Sequence, residues 1–226
     1  QLAFILLNID AFVRPGAKDE VIYDDMFDTG WHERNGLADL VWFPTGGGKT
    51  EAYLGIIAFL ITYRRITQGD NGNGTAILMR YTLRLLTLQQ FQRATLLICA
   101  LEHIRKESFS IPNQRSLGEE RITIGLYVGN DSLPGTWTGG ERSMEAELRR
   151  IAQQVDQKER QIKTKLPHTE CPWCGSELFT ALHNKKLSNV IGPENNTPLR
   201  VFCHTSGCSF EDMDMMEEEN SLPLRL

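Results

Sequence analysis

Apolar positions come in blocks along this chain, and the period inside each block predicts its structure. Leu2, Phe4, Ile5, Leu6, Leu7, Ile9, Phe12 and Val13 are spaced as one packing helix, ended by Arg14-Pro15-Gly16. Residues 17–36 are acidic and turn-rich, an exposed connection. Asp39-Leu40-Val41-Trp42-Phe43 then reads as a short buried strand, and Thr50 to Arg65 as a helix buried on most sides. A flexible loop, Thr67 to Gly74, leads to a second buried strand, Thr75 to Met79. The next helix opens at Arg80 and runs to about Arg105. Leu83, Leu86, Gln90, Ala94, Leu97, Leu101 and Ile104 step along it by three or four as its buried face. After a polar loop, Ile122, Ile124, Leu126 and Val128 alternate with polar partners and predict a third strand, Arg121 to Val128, closed by Gly129-Asn130-Asp131. Strand, helix, strand, helix in this rhythm implies an α/β fold with a parallel sheet and right-handed crossovers.

The pattern then changes. Glu141 to Lys165 reads as a charged helix with a narrow apolar stripe, Met144, Leu148, Ile151 and Val155, suited to lying on a surface or projecting as an arm. Beyond it the apolar blocks are short: Leu178-Phe179 and Leu199-Arg200-Val201-Phe202 look like strands of a small ribbon.

Between the first strand and its helix lies Pro44-Thr45-Gly46-Gly47-Gly48-Lys49-Thr50. Glycines let consecutive backbone N–H groups turn onto an anion, and the helix N-terminus adds partial positive charge. Lys49 would reach the β- and γ-phosphates of ATP and the Thr50 hydroxyl would hold Mg²⁺, with Thr45, Gly46, Gly47, Gly48 and Glu51 around the nucleotide. The general pattern places a glycine where this chain has Phe43. Asp24 and Asp25, a neighbouring pair of acids, lie upstream of this loop and read as surface residues.

Strand ends are where open α/β sheets bind ligands. Arg80, Thr82 and Arg84 stand at such an end and can contact backbone phosphates, with Gln89, Gln90 and Arg93 extending the contact; the alternative is ordinary helix-surface charge. Gly129 marks a comparable turn after the third strand.

Charge bears on that reading. The net charge is −5, which argues against nucleic acid as a partner. Yet Glu211 to Glu219 holds six of the 29 acids and no base, leaving 24 bases against 23 acids elsewhere. Any nucleic-acid surface must then be a local stripe. No apolar run is long enough to span a bilayer and nothing at the start resembles a signal peptide, so a cytoplasmic protein is expected.

Of five cysteines, four form two knuckles: Cys171-Pro172-Trp173-Cys174-Gly175 and Cys203-His204-Thr205-Ser206-Gly207-Cys208. Four thiolates on two tight turns suit structural tetrahedral Zn²⁺; disulfides and free thiols are the alternatives, and His168 and His204 are alternative ligands. So small a ribbon would draw its folding free energy from the metal. Trp173, Lys185 and Lys186 can touch nucleic acid or a partner, though packing is the simpler role for the tryptophan. Cys99 reads as a small buried residue.

The Pro-Thr-Gly-Gly-Gly-Lys-Thr form resembles that of superfamily 2 helicases and translocases, and Tyr81-Thr82-Leu83-Arg84 looks like their strand-contacting segment. Taken with Met79-Arg80-Tyr81-Thr82-Leu83-Arg84-Leu85-Leu86 and the four-cysteine insertion, the chain is most similar to the helicase subunit of bacterial DISARM anti-phage defence. The resemblance implies a RecA-like P-loop lobe, a DNA-binding ATPase and a second defence subunit as partner, and it makes Gln1 a candidate reader of adenine. The expected organisation is a first RecA-like lobe over 1–130, a charged helical insertion over 131–166, a zinc ribbon over 167–210 and an acidic linker over 211–226 returning to the core. An Asp-Glu pair on a buried strand and a second lobe with an arginine finger are not found. The chain is therefore expected to be the N-terminal part of a larger motor, inactive alone. The competing reading is a regulatory nucleotide-binding module whose ribbon docks a partner protein. A P-loop kinase or GTPase fits the Arg80–Arg84 segment less well.

Overall fold

The computed structural model describes residues 48–81, 84–108, 116–129, 132–192, 199–211 and 220–225, together with Leu6 and Ile9. The strand expected at 39–43, the connection at 17–36 and most of the N-terminal helix lie outside the described residues, although Leu6 and Ile9 are helical. The chain divides into two compact units, Gln1–Tyr63 and Arg64–Leu226.

Helix α1 (Lys49–Gln68) begins in the first unit and ends in the second. Gly48 takes a φ of 76°, a left-handed conformation natural to glycine, and its carbonyl accepts the N–H of Ala52 at 3.1 Å. Ala52, Ile57 and Ile61 are buried, and Phe59 stacks on Tyr63 one turn later at 5.6 Å.

In the second unit the expected flexible loop is shorter and more ordered. α1 continues through Gln68 and closes in a 3₁₀ turn, Gly69–Gly72. Residues 75–81 are not a buried strand: they belong to no ladder among the described residues, and Leu78 is 88% exposed. An apolar run of five has no periodicity that distinguishes a paired strand from unpaired chain.

Helix α2 (Arg84–Ser108) starts later than expected, and its buried face is turned from the expected one. Phe91, Ala94, Ile98, Cys99, Leu101, Glu102 and Arg105 are buried, whereas Ile104 is half exposed. The reason is a buried ion pair, described below, that takes two charged residues to the inner face. Strand β1 (Ile124–Gly125) is two residues of the eight expected. Its partner is β6 (Leu224–Arg225), parallel, with Ile124 beside Leu224. Parallel strands need a crossover between them, and here residues 126–223 supply it.

That crossover holds helix α3 (Met144–Asp156), capped by Ser143, whose hydroxyl accepts the N–H of Ala146 at 3.3 Å. α3 stops nine residues before the expected Lys165. Chain reversal follows, held by the Gln154 side chain, which donates to Lys163 O at 2.9 Å and accepts Lys163 N–H at 2.7 Å. Rather than project as an arm, α3 packs on the hairpin β2 (Leu182–His183) and β3 (Lys186–Leu187). Asn184 and Lys185 turn that hairpin with φ of 50° and 61°. β4 (Val190–Ile191) and β5 (Arg200–Val201) form a second antiparallel pair. Leu178-Phe179, expected as a strand, is buried but extends no ladder: Leu178 N–H donates to Thr169 O at 2.9 Å beside the single antiparallel bridge Glu170–Glu177. One apolar core joins α2, α3, the ribbon and β6 through Phe91, Ile151, Leu178, Val201, Phe210 and Leu222.

Candidate functional site

The cysteine knuckles are built by short backbone bonds. Cys171 N–H donates to Ser176 O at 2.7 Å, and Gly175, at φ 77°, donates to Cys171 O at 2.8 Å. In the second knuckle Cys203 N–H donates to Phe210 O at 2.8 Å, Cys208 N–H to Thr205 O at 3.1 Å, and Gly207 adopts φ 80°. Gly207 N–H is further held by Glu211 Oε2 at 2.7 Å.

These turns bring all four Sγ atoms within 4.8 Å of one another. The Cys171–Cys208 and Cys174–Cys203 separations are 3.9 and 3.5 Å. Zn–S bonds of about 2.3 Å in a tetrahedron put neighbouring sulfurs about 3.8 Å apart, close to these two separations, so side-chain shifts of about 1 Å would bring the whole set onto Zn²⁺. The sulfurs are too far apart to be disulfides as they stand. Burial pushes the Cys171 thiol up to about 11, against N–H donors from Cys174 and Trp173. Burial also pushes Cys208 up. At Cys174 the upward push of burial is outweighed by donors from Ser176 and the neighbouring thiols, which hold it down at about 6. A cation would deprotonate the whole set. With four protein ligands, no position remains open for catalysis.

Neither histidine weighed as a ligand is needed. His204 Nε2 lies 3.2 Å from Ser188 Oγ, and His168 Nε2 lies 3.1 Å from Thr95 Oγ1. Burial lowers His168 to about 4, so it is neutral at physiological pH. Its ring lies 5.7 Å from that of Phe91.

The ribbon is bound along α2. Trp173 packs on His103 at 4.9 Å and edge-on to Phe210 at 6.2 Å, which makes it chiefly a packing residue. Lys106 lies 5.3 Å over the Phe210 ring and reaches Ser209 O at 3.4 Å, while Ser209 Oγ is 3.0 Å from His103 Nδ1. Gln92 donates to Pro167 O at 2.8 Å. Lys185 and Lys186 sit exposed at the hairpin tip.

A second polar cluster escapes sequence reading. Glu102, with no exposure, receives Arg105 Nε at 2.8 Å, Arg105 Nη2 at 2.7 Å and the Ile122 N–H at 2.9 Å. Arg121 Nε is 3.6 Å away, and its other nitrogens hold Ser221 Oγ at 3.0 Å and Ser221 O at 2.7 Å. Arg65, lowered by burial, donates to Glu120 O at 2.6 Å. Glu147 on α3 is likewise buried, accepting from Thr164 Oγ1 and Lys165 N–H, both at 2.8 Å, and pairing with Arg150 at 3.0 Å. Runs of charge carry no signal for which member turns inward.

Of the candidate nucleotide residues, Gly48, Lys49, Thr50 and Glu51 are described: Lys49 and Thr50 are half-buried in the first turn of α1, and Glu51 is exposed. Thr45, Gly46 and Gly47 lie outside the described residues. Among the candidate nucleic-acid residues, Arg80 is exposed ahead of α2 and Arg84 opens that helix, while Thr82 lies outside the described residues. Gly129 is exposed, and its carbonyl accepts the Ser132 N–H at 2.8 Å.

The described chemistry is thus that of a closed four-cysteine ribbon fastened to the long helix of a mixed α/β unit. In sequence the chain is related to DISARM protein DrmA of Bacillus paralicheniformis, 34% identical over 216 residues that cover 93% of this chain and 17% of the relative. The chain therefore spans about a sixth of that relative's length. No protein-family model matches it. No helix among the described residues is long and apolar enough to cross a membrane.

Proposed function

We propose that this chain is part of an ATP-dependent DNA helicase or translocase in anti-phage defence, coupling ATP hydrolysis to movement on DNA. On this reading a RecA-like lobe would occupy 1–130, a helical insertion 131–166, a zinc ribbon 167–210 and an acidic return toward the core 211–226. The observation that carries the reading is the helix opening at Lys49-Thr50 directly after a left-handed Gly48, under the sequence Pro-Thr-Gly-Gly-Gly-Lys-Thr. Backbone N–H groups at a helix start favour phosphate, and Lys49 and Thr50 would hold the β,γ-phosphates and Mg²⁺ of ATP. Similarity to a DISARM protein supports the defence setting and a second defence subunit as partner. Arg80, Thr82, Arg84 and Gly129 would contact DNA, and Cys171, Cys174, Cys203 and Cys208 would hold structural Zn²⁺.

The test is DNA-stimulated ATP hydrolysis by the full-length gene product, wild type beside Lys49→Ala. The motor reading expects stimulation by DNA and its loss in the variant. Unchanged turnover in Lys49→Ala would refute the nucleotide site. Nucleotide binding without stimulation would favour the regulatory module instead.

A further inference from the structure

The four thiols of the ribbon are not equivalent. Cys171, Cys203 and Cys208 are 1%, 0% and 8% exposed and belong to the apolar core. Cys174 is exposed and stands outside that core. Its sulfur lies 3.5 Å from that of Cys203, on the other knuckle. We propose that Cys174 is an oxidation site: hydrogen peroxide reaches it first, and Cys203 then closes a disulfide across the two knuckles that displaces Zn²⁺. The inference goes beyond the motor reading and rests on the reading of the four cysteines as a zinc site.

Exposure selects the residue attacked, because oxidation of a cysteine needs an accessible sulfur. Proximity selects its partner. Cys203 is already at contact distance, whereas the other cross-knuckle pair, Cys171 and Cys208, lies at 3.9 Å with both sulfurs buried. Metal binding supplies the reactive form, since ligating sulfurs are deprotonated. The Cys174 thiolate attacks one peroxide oxygen, forming an S–O bond as the O–O bond breaks and hydroxide leaves. The Cys203 thiolate then attacks Cys174 Sγ, forming the S–S bond and expelling the second hydroxide. Two protons from solvent turn both hydroxides into water. The two sulfurs together lose two electrons and the peroxide gains them. Cys171 and Cys208 alone remain as thiolates, too few for a tetrahedral site. The disulfide closes the loop from 174 to 203, so a covalent bond replaces the ion as the link between the knuckles.

The experiment treats the full-length, zinc-loaded protein with hydrogen peroxide. Zinc release is followed with a chromogenic chelator, and the cysteines by differential alkylation and mass spectrometry, with buried Cys99 as the internal reference. Cys174 and Cys203 are expected to lose free thiol together, about tenfold faster than Cys99, as a Cys174–Cys203 crosslinked peptide accumulates. Zinc should leave at the same rate, and reductant with added zinc should restore it. The variant Cys203→His keeps four ligands of a kind that zinc accepts. With the resolving sulfur gone, dimedone should trap sulfenic acid at Cys174. Should that variant hold no zinc, the wild-type crosslink map decides alone. A disulfide within the first knuckle, Cys171–Cys174, or equal oxidation of all four cysteines would overturn the proposal. Zinc retained in peroxide would sink the oxidation site and leave the zinc site standing. A protein that holds no zinc before treatment would remove both and leave the motor reading untouched.

Discussion

Glu102 is the residue whose loss should be felt most widely. It is fully buried on α2, grips Arg105 with both carboxylate oxygens, accepts the Ile122 N–H just ahead of β1, and has Arg121 at 3.6 Å. Glu102→Ala would leave the Arg105 guanidinium buried without its countercharge, and Arg121 beside it. Removing one partner of a buried pair destabilises by about 3–5 kcal/mol, and the orphaned Ile122 N–H adds about 1–3 kcal/mol if water cannot reach it. Relaxation around the small alanine offsets part of this, so about 4 kcal/mol is expected. Urea unfolding measures it as a drop in midpoint at unchanged slope. The double variant Glu102→Leu with Arg105→Leu removes both charges and should recover at least half of the loss, because the penalty lies in the unpaired guanidinium rather than in the missing bond. A Glu102→Ala change under about 1 kcal/mol would show that water reaches the cluster, and the argument for a dry ionic link between α2 and β1 would fail.

Two further outcomes follow from the same region. The purified protein should hold one Zn²⁺ per chain; Cys171→Ser should release it and loosen the packing of Trp173 on α2, read as a shift in tryptophan emission, and metal-free protein with an unaltered spectrum would refute a zinc-organised ribbon. His168 gives a pH dependence: burial lowers it from 6.5 to about 4, so the unfolded chain takes up a proton first and stability falls as pH drops from about 6.5 toward 4. Relative to His168→Gln, wild type should lose on the order of 3 kcal/mol across that window. A flat difference between the two would place His168 in contact with solvent.

What was legible in the sequence was what depends on local chemistry. The two knuckles announce their four sulfurs because metal binding requires the residue type and the tight turn together, and Gly48-Lys49-Thr50 announces a helix start for a similar reason. The strands were legible only as faces. Ile122, Ile124 and Leu126 do alternate inward, but where a ladder forms depends on Leu224 and Arg225, about a hundred residues away. The ribbon's first hairpin was missed because its turn is Asn184-Lys185, without the glycine that usually signals two left-handed residues. The inner face of α2 was misjudged because Glu102 and Arg105 neutralise each other, and no periodicity of apolar residues contains that fact.

The parallel pairing of β1 with β6 has a consequence for the order of folding. Closing a loop of about a hundred residues costs about 4 kcal/mol of chain entropy before two short strands return anything for it. The intervening segment has its own nucleus: two knuckles whose four sulfurs converge, α3 on its hairpin, and the Leu222 N–H bonded to Val201 O at 2.7 Å, which leaves Leu224 beside Ile124. Once the ribbon is formed, the strand ends are neighbours and the remaining loop is short. If the knuckles take up zinc as proposed, metal capture would come early and strand pairing late, and the rate at which β1 and β6 meet should track zinc availability even though no cysteine of the cluster lies in either strand.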